Sequence, residues 1–198
     1  MVRTVSILQA LVAAAAAGLL LSATPVVLAQ PTQGVGKDEI VIGTIQDLSG
    51  PVSPFGKAAR NGIQLRVDEI NEQGGIHGRK IRLIVEDNAY DPKRAVLAAQ
   101  KLVNQDKVFL IASHIGTPMN NAAMPVMFEK GVINFFPLSA GREMYDPANK
   151  LKLASVASYF DTLRMNVARL YKEKGAKNAC VLYQDDDYGL EVVRGAEA

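Results

Sequence analysis

Four short segments hold the residues whose types and spacing could do chemistry, and turn formers bound each of them. Residues 46–56 (QDLSGPVSPFG) form a long stretch with Phe55 near its end. That ring either plugs local packing or covers a ligand. Residues 113–120 (SHIGTPMN) set Thr117 before Pro118, the pattern of an N-cap followed by a first helical residue. The unpaired backbone N–H groups and dipole of such a helix start attract an anion. Gly116 would let a ligand approach the backbone closely. An ordinary capped helix uses the same residues. Residues 137–142 (PLSAGR) offer the Ser139 hydroxyl, and residues 184–189 (QDDDYG) the ring and phenol of Tyr188. Asp185, Asp186 and Asp187 lack the spacing and the glutamate of a calcium loop, so they read as a solvated acidic turn.

Signatures of catalysis are missing. Gly34 and Gly36 precede the first apolar strand instead of following it, so a dinucleotide fingerprint fails its context. The sequence has no Walker loop, no G-x-S-x-G elbow and no H-E-x-x-H. His77 lies in a Gly-Gly-Ile-His-Gly turn and His114 at a strand end, and both fit structural or solvent-facing roles. An exported α/β enzyme, leaning on His114 or Asp47, ranks well behind a binding protein. With two histidines and one cysteine in 198 residues, neither an intrachain disulfide nor a His- or Cys-based metal site is expected. No cofactor is expected. The net charge of +2 gives no electrostatic case for nucleic acid or an anionic membrane surface. Hydrophobic and charged fractions of 48% and 21% are those of an ordinary globular chain.

The elements that must position these segments alternate between strand and helix, behind an export signal. Arg3 precedes an apolar run over residues 7–21, and Val27, Leu28 and Ala29 suit a signal peptidase. The run falls short of the ~20 residues that a spanning helix needs. Residues 1–29 are therefore read as a signal peptide cut after Ala29, and residues 30–37 as a flexible leader. No cysteine stands at the cut, so export leads to a soluble compartment, most simply a periplasm.

Apolar, β-branched runs predict strands over residues 39–45, 80–86, 108–112, 132–136 and 179–183. Helical periodicity predicts a helix over 57–73 with Ala59, Ile63, Val67 and Ile70 on one face. A second helix is capped by Asp91 and carries Val96, Ala99, Leu102 and Val103 inward. A third spans 119–130, a fourth is capped by Asp161 with Leu163, Val167 and Leu170 inward, and a fifth opens at Gly189. Repeated strand–helix–strand units imply a parallel sheet with helices on both faces. In such sheets ligands sit beyond the carboxyl ends of the strands, where the four segments fall. Residues 151–158 lack a helical period and read as a crossover into a second domain. That domain is then too small to build a sheet, and the chain ends inside an apparent helix, the pattern of an N-terminal part of a longer protein.

The residues also carry a resemblance. Residues 42–56, 68–81 (DEINEQGGIHGRKI), 86–96 (EDNAYDPKRAV), 130–140 (KGVINFFPLSA) and 183–189 (YQDDDYG) resemble, in order and spacing, the leucine/isoleucine/valine-binding family. These are the substrate-binding proteins of branched-chain amino-acid-type ABC transporters. The resemblance implies the α/β type I periplasmic-binding-protein fold: two doubly wound parallel-sheet lobes joined by a hinge. Residues 38–158 would be the N-terminal ligand-binding lobe, and 159–198 the start of the second, truncated lobe.

It further implies an extracytoplasmic solute-binding component of an importer, not an enzyme. Such a component captures a small amino acid, or a related amide or aromatic or aliphatic carboxylate, by hinge closure. Its partners would be that small-molecule ligand and an ABC permease in the inner membrane. A sensor domain of the same fold is the alternative. By position, Phe55 would cover the ligand side chain, Ile115, Gly116 and Thr117 would bind its carboxylate, and Leu138, Ser139 and Ala140 would form the next binding loop. Tyr188 would come from the second lobe. Two departures count against leucine itself. Ala140 replaces a threonine hydroxyl, a change of about 1 kcal/mol or more in a buried site. Tyr90 and Gly116 stand where the family carries a disulfide. Phe135 and Phe136 would bring aromatic bulk near the crevice.

Overall fold

The apolar run that opens the fold becomes β1 (Glu39–Gln46), an inner strand of a five-stranded sheet, flanked on both sides. The computed structural model of the chain describes residues 32–198. The expected signal peptide, with its cut after Ala29, lies outside the described residues, as do residues 30 and 31 of the leader.

On one side β1 pairs along its whole length with β2 (Lys80–Asp87), and on the other with β3 (Leu110–Ala112). Beyond β3 come β4 (Ile133–Phe135) and β5 (Lys152–Leu153). All pairs are parallel and the order is β2-β1-β3-β4-β5. Parallel neighbours need crossover connections, which helices supply from β1 through β4, while a long segment with one short 3-10 turn (Arg142–Met144) joins β4 to β5. The strand order changes direction between β1 and β3. At such a switch point the two adjoining loops part and leave a crevice.

Helix α1 (Ser53–Glu72) packs on β1 and β2. It begins earlier than the expected residue 57. The reason is Asp47, whose carboxylate accepts from Gly50 N–H at 2.5 Å and Val52 N–H at 2.8 Å. These two bonds fold the loop tightly enough for the chain to enter the helix at Ser53. Helix α2 (Pro92–Gln100) starts as expected, with the Asp91 side chain accepting from Arg94 N–H. It runs on through a π-turn (Lys101–Gln105), which buries Leu102 and Val103. Helix α3 (Thr117–Glu129) lies against α2. The core of Val41, Ile45, Ala99, Leu102, Val103, Val108, Ile111, Ala123, Met127 and Val132 joins these helices to the sheet.

Beyond β4 the expectations need correction. Within the expected crossover over 151–158, Lys152 and Leu153 form β5, and the Leu151 and Leu153 carbonyls accept from Asn134 and Phe136 N–H. Helix α4 (Tyr159–Lys174) is capped by Ser158, not Asp161. Ser158 Oγ accepts from Asp161 N–H at 3.0 Å and donates to its carboxylate at 2.7 Å. Gly175 ends the helix in the left-handed conformation. Leu170, expected inward, is 45% exposed.

Helix α5 (Asp187–Glu197) opens before Gly189, because the Asp186 carboxylate caps the N–H groups of Tyr188 and Gly189. The expected strand over 179–183 is not formed. A strand is held by its ladder, and among the described residues none runs beside it, leaving Leu182 99% exposed. Among the described residues no helix is long and apolar enough to cross a membrane, and no three His, Cys, Asp or Glu side chains gather closely enough to hold a metal ion.

Candidate functional site

The crevice is built from side-chain bonds that lock strand ends together. Thr44 Oγ1 donates to the Ala112 carbonyl and Gln46 Nε2 to the Ser113 carbonyl, tying the end of β1 to that of β3. Past β3 and β4 the chain runs as two adjacent loops. Leu138 N–H donates to the His114 carbonyl, and Gly116 N–H to the Leu138 carbonyl at 3.2 Å. Asn120 braces this pair from α3 by donating to the His114 and Gly116 carbonyls, and Asn134 donates in turn to Asn120.

Gly116, not Thr117, is the residue before α3, and its φ of 91° is one that side chains rarely adopt. A Cβ there would fall 2.0 Å from Met119 Cε and 3.1 Å from a Tyr90 ring carbon. Thr117 therefore does not cap. Its hydroxyl pairs with Ser139 Oγ at 2.8 Å. The first N–H groups of α3 have no acceptor within the helix and carry its positive dipole end.

A cavity of about 380 Å³ opens at this point. Six of the expected residues line it: Phe55, Ile115, Gly116, Thr117, Leu138 and Tyr188. Ser139 and Ala140 do not, because they lie behind the wall. Ser139 spends its hydroxyl on Thr117 and on Gly141 N–H, and the Ala140 carbonyl accepts from Tyr159 N–H. Phe55 stands in the first turn of α1 instead of a loop, 72% exposed. Phe135 and Phe136 pack on each other with centroids 4.3 Å apart, and neither lines the cavity.

Four further residues complete the lining: Val52, Tyr90, Tyr159 and Gln184. Tyr90 and Gln184 sit inside segments quoted above, at strand or helix boundaries where a search for a ligand could have found them. Tyr159 carries no such signal, since its type suits a helix start equally well. Its ring meets that of Tyr188 edge to face, centroids 5.0 Å apart. The positions that the resemblance pairs by a disulfide, 90 and 116, are neighbours in space.

The lining is uncharged. Burial raises the Tyr90 phenol above its ordinary value, against the pull of the Gln184 side chain. Burial likewise raises Tyr159, against the Ala140 N–H. Both phenols thus stay neutral hydrogen-bonding groups near pH 7. Under the floor, His114 is fully buried, both ring nitrogens lack partners among the described residues, and burial pushes its pKa down to about 3. The arrangement is an apolar, aromatic chamber with one oriented field, that of the α3 start. It suits holding a small anionic or polar group with an apolar body, and it holds no nucleophile–base pair.

Comparison with known proteins agrees with this geometry. A family model described as a periplasmic binding protein matches residues 39–198. A Leu/Ile/Val-binding protein of Rhizobium johnstonii is 38% identical over 109 residues, covering 54% of this chain and 29% of that protein. A leucine-, isoleucine-, valine-, threonine- and alanine-binding protein of Pseudomonas aeruginosa is 29% identical over 157 residues, covering 77% of this chain and 40% of that protein. A solved fatty acid ABC transporter substrate-binding protein from Thermomonospora curvata matches with a TM-score of 0.75 at 28% identity, over 85% of this chain and 43% of that one. The chain thus spans less than half the length of these relatives, which are solute-binding proteins and not enzymes. With its parallel α/β sheet and a family match running from β1 to Ala198, the chain belongs to the periplasmic binding protein family.

Proposed function

We propose that the full-length protein is the extracytoplasmic solute-binding component of an ABC importer, closing two lobes on a small carboxylate with an apolar body. Residues 38–158 supply the first lobe and residues 159–198 begin the second. The observation that carries this reading is the cavity at the switch point. Its floor is the uncapped start of α3 with Gly116 and Thr117, and its far wall is Tyr159, Gln184 and Tyr188. A solute held there touches both parts at once, and that differential contact is what shifts a hinge equilibrium toward closure. Branched-chain amino acids fit the relatives' ligands. The aromatic lining widens the candidates to aromatic and longer aliphatic acids. Signal cleavage after Ala29 and a permease in the inner membrane complete the proposal.

A thermal-shift screen of the full-length protein tests it, with aliphatic and aromatic amino acids, amides, urea, and fatty and aromatic acids. A solute present at about 100 times its dissociation constant stabilises a fold by ~2.7 kcal/mol, a readable rise in Tm. At least one carboxylate is expected to give that rise. A flat response across the panel contradicts the reading.

A further inference from the structure

Arg142 stands two residues past Ala140 and reaches both C-terminal helices. On α5 its guanidinium donates to the Glu191 carboxylate through Nε at 2.9 Å and Nη2 at 2.9 Å, while its backbone N–H donates to the same group at 3.3 Å. The Glu191 side chain is only 1% exposed, whereas that of Arg142 is 45% exposed. On α4 the guanidinium carbon lies 4.3 Å from the centroid of the Phe160 ring. The two helices are themselves in close contact, since a Cβ on Gly195 would fall 2.5 Å from the Phe160 carbonyl oxygen. One side chain from the segment after β4 thus grips α4 and α5 as a unit.

A carboxylate this buried needs a charged, hydrogen-bonded partner, and a forked guanidinium supplies one with fixed orientation. Arg194, on α5 itself, reaches Glu191 only at 3.5 Å. The grip connects the two walls of the cavity. Arg142 follows Leu138, and Glu191 lies one turn past Tyr188. A second and exposed tie, Asn121 Nδ2 to Asp187 at 2.9 Å, joins α3 to the start of α5.

We propose that Arg142 is a positioning residue of the ligand site. Its clamp on Glu191 and its stacking on Phe160 hold Tyr159 and Tyr188 over the floor made by α3 and Leu138. This rests on the two-lobe reading above, and it makes part of the closed arrangement available before any solute arrives.

The test needs no ligand, so its outcome is separate from that of the solute screen. Spin labels are placed on the full-length protein at Asn104→Cys and Lys172→Cys in a Cys180→Ser background, and their separation is read by pulsed dipolar spectroscopy. With Arg142 intact, one short distance is expected. Arg142→Gln and Glu191→Gln are each expected to make a longer distance the major one, and Arg142→Lys to give a mixture, because it keeps the charge but loses the fork and the stacking. Circular dichroism checks folding. Arg142→Gln, at a half-exposed side chain, decides if Glu191→Gln does not fold. Distance distributions that overlay the parent in the folded variants overturn the proposal.

Discussion

Gly116 leaves almost no room for a side chain at the cavity. Its backbone lies where L side chains are strained, and Met119 and Tyr90 already occupy the space a Cβ would take. Gly116→Ala is expected to cost about 1–3 kcal/mol of stability, read as a lowered Tm. His114 makes a different prediction. Its folded pKa of about 3 lies below the ordinary 6.5, so the unfolded chain binds more protons between those values. Stability from this residue is therefore full above pH 6.5 and declines as the pH falls toward 3. Because both ring nitrogens lack partners among the described residues, an apolar replacement of similar size leaves no orphan behind there. His114→Leu is expected to hold or raise the Tm at pH 7 and to flatten its fall between pH 6.5 and 4. An unchanged slope would contradict the burial account.

At the scale of elements, caps and ladders decide where the sequence could be read. Asp91-Pro92 is a strong local signal, and α2 begins where it says. Ser158 and Asp161 both suit a cap, and spacing alone does not choose between them. The extended φ of −61° and ψ of 150° at Ser158 settles the choice. Ser158→Ala is expected to cost ~1 kcal/mol, seen as a drop in the denaturation midpoint. The turn formers around Phe55 place it ahead of the expected helix over 57–73, yet two bonds to Asp47 are enough to start the helix early. Residues 179–183 have strand composition but no partner beside them among the described residues, and composition cannot supply a ladder. Tyr159 carries no sequence signal for a wall residue, because tertiary placement alone brings it to the cavity. The Arg142–Glu191 tie adds a second pH effect. Burial pushes the Glu191 pKa up, but the Arg142 bonds and charge outweigh it, and the net shift is downward. Its contribution is present above the ordinary carboxylate range and is lost as the pH falls through the folded value. Glu191→Gln is thus expected to remove part of the acid sensitivity below about pH 4.5, with no effect on the slope near pH 6.

For the whole molecule, strand order does most of the functional work. The change of direction between β1 and β3 opens the crevice, α3 points its start into it, and the C-terminal helices bring two tyrosines across from the other side. The parallel α/β fold is legible because the βαβ units from β1 to β4 leave their periodicity in the sequence, whereas the two-residue β5 leaves none. The division of labour within the site was less so. Ser139 and Ala140 match ligand contacts by position, and in the fold the Ser139 hydroxyl pairs with Thr117 while the Ala140 carbonyl accepts from Tyr159 N–H. The most direct test of the account is calorimetric titration of the strongest carboxylate from the solute screen into the full-length protein and its Gly116→Ala variant. One molecule bound per chain is expected, with affinity at least about tenfold weaker in the variant, a difference of ~1.4 kcal/mol. Equal affinity in a folded variant would place the ligand elsewhere and contradict it.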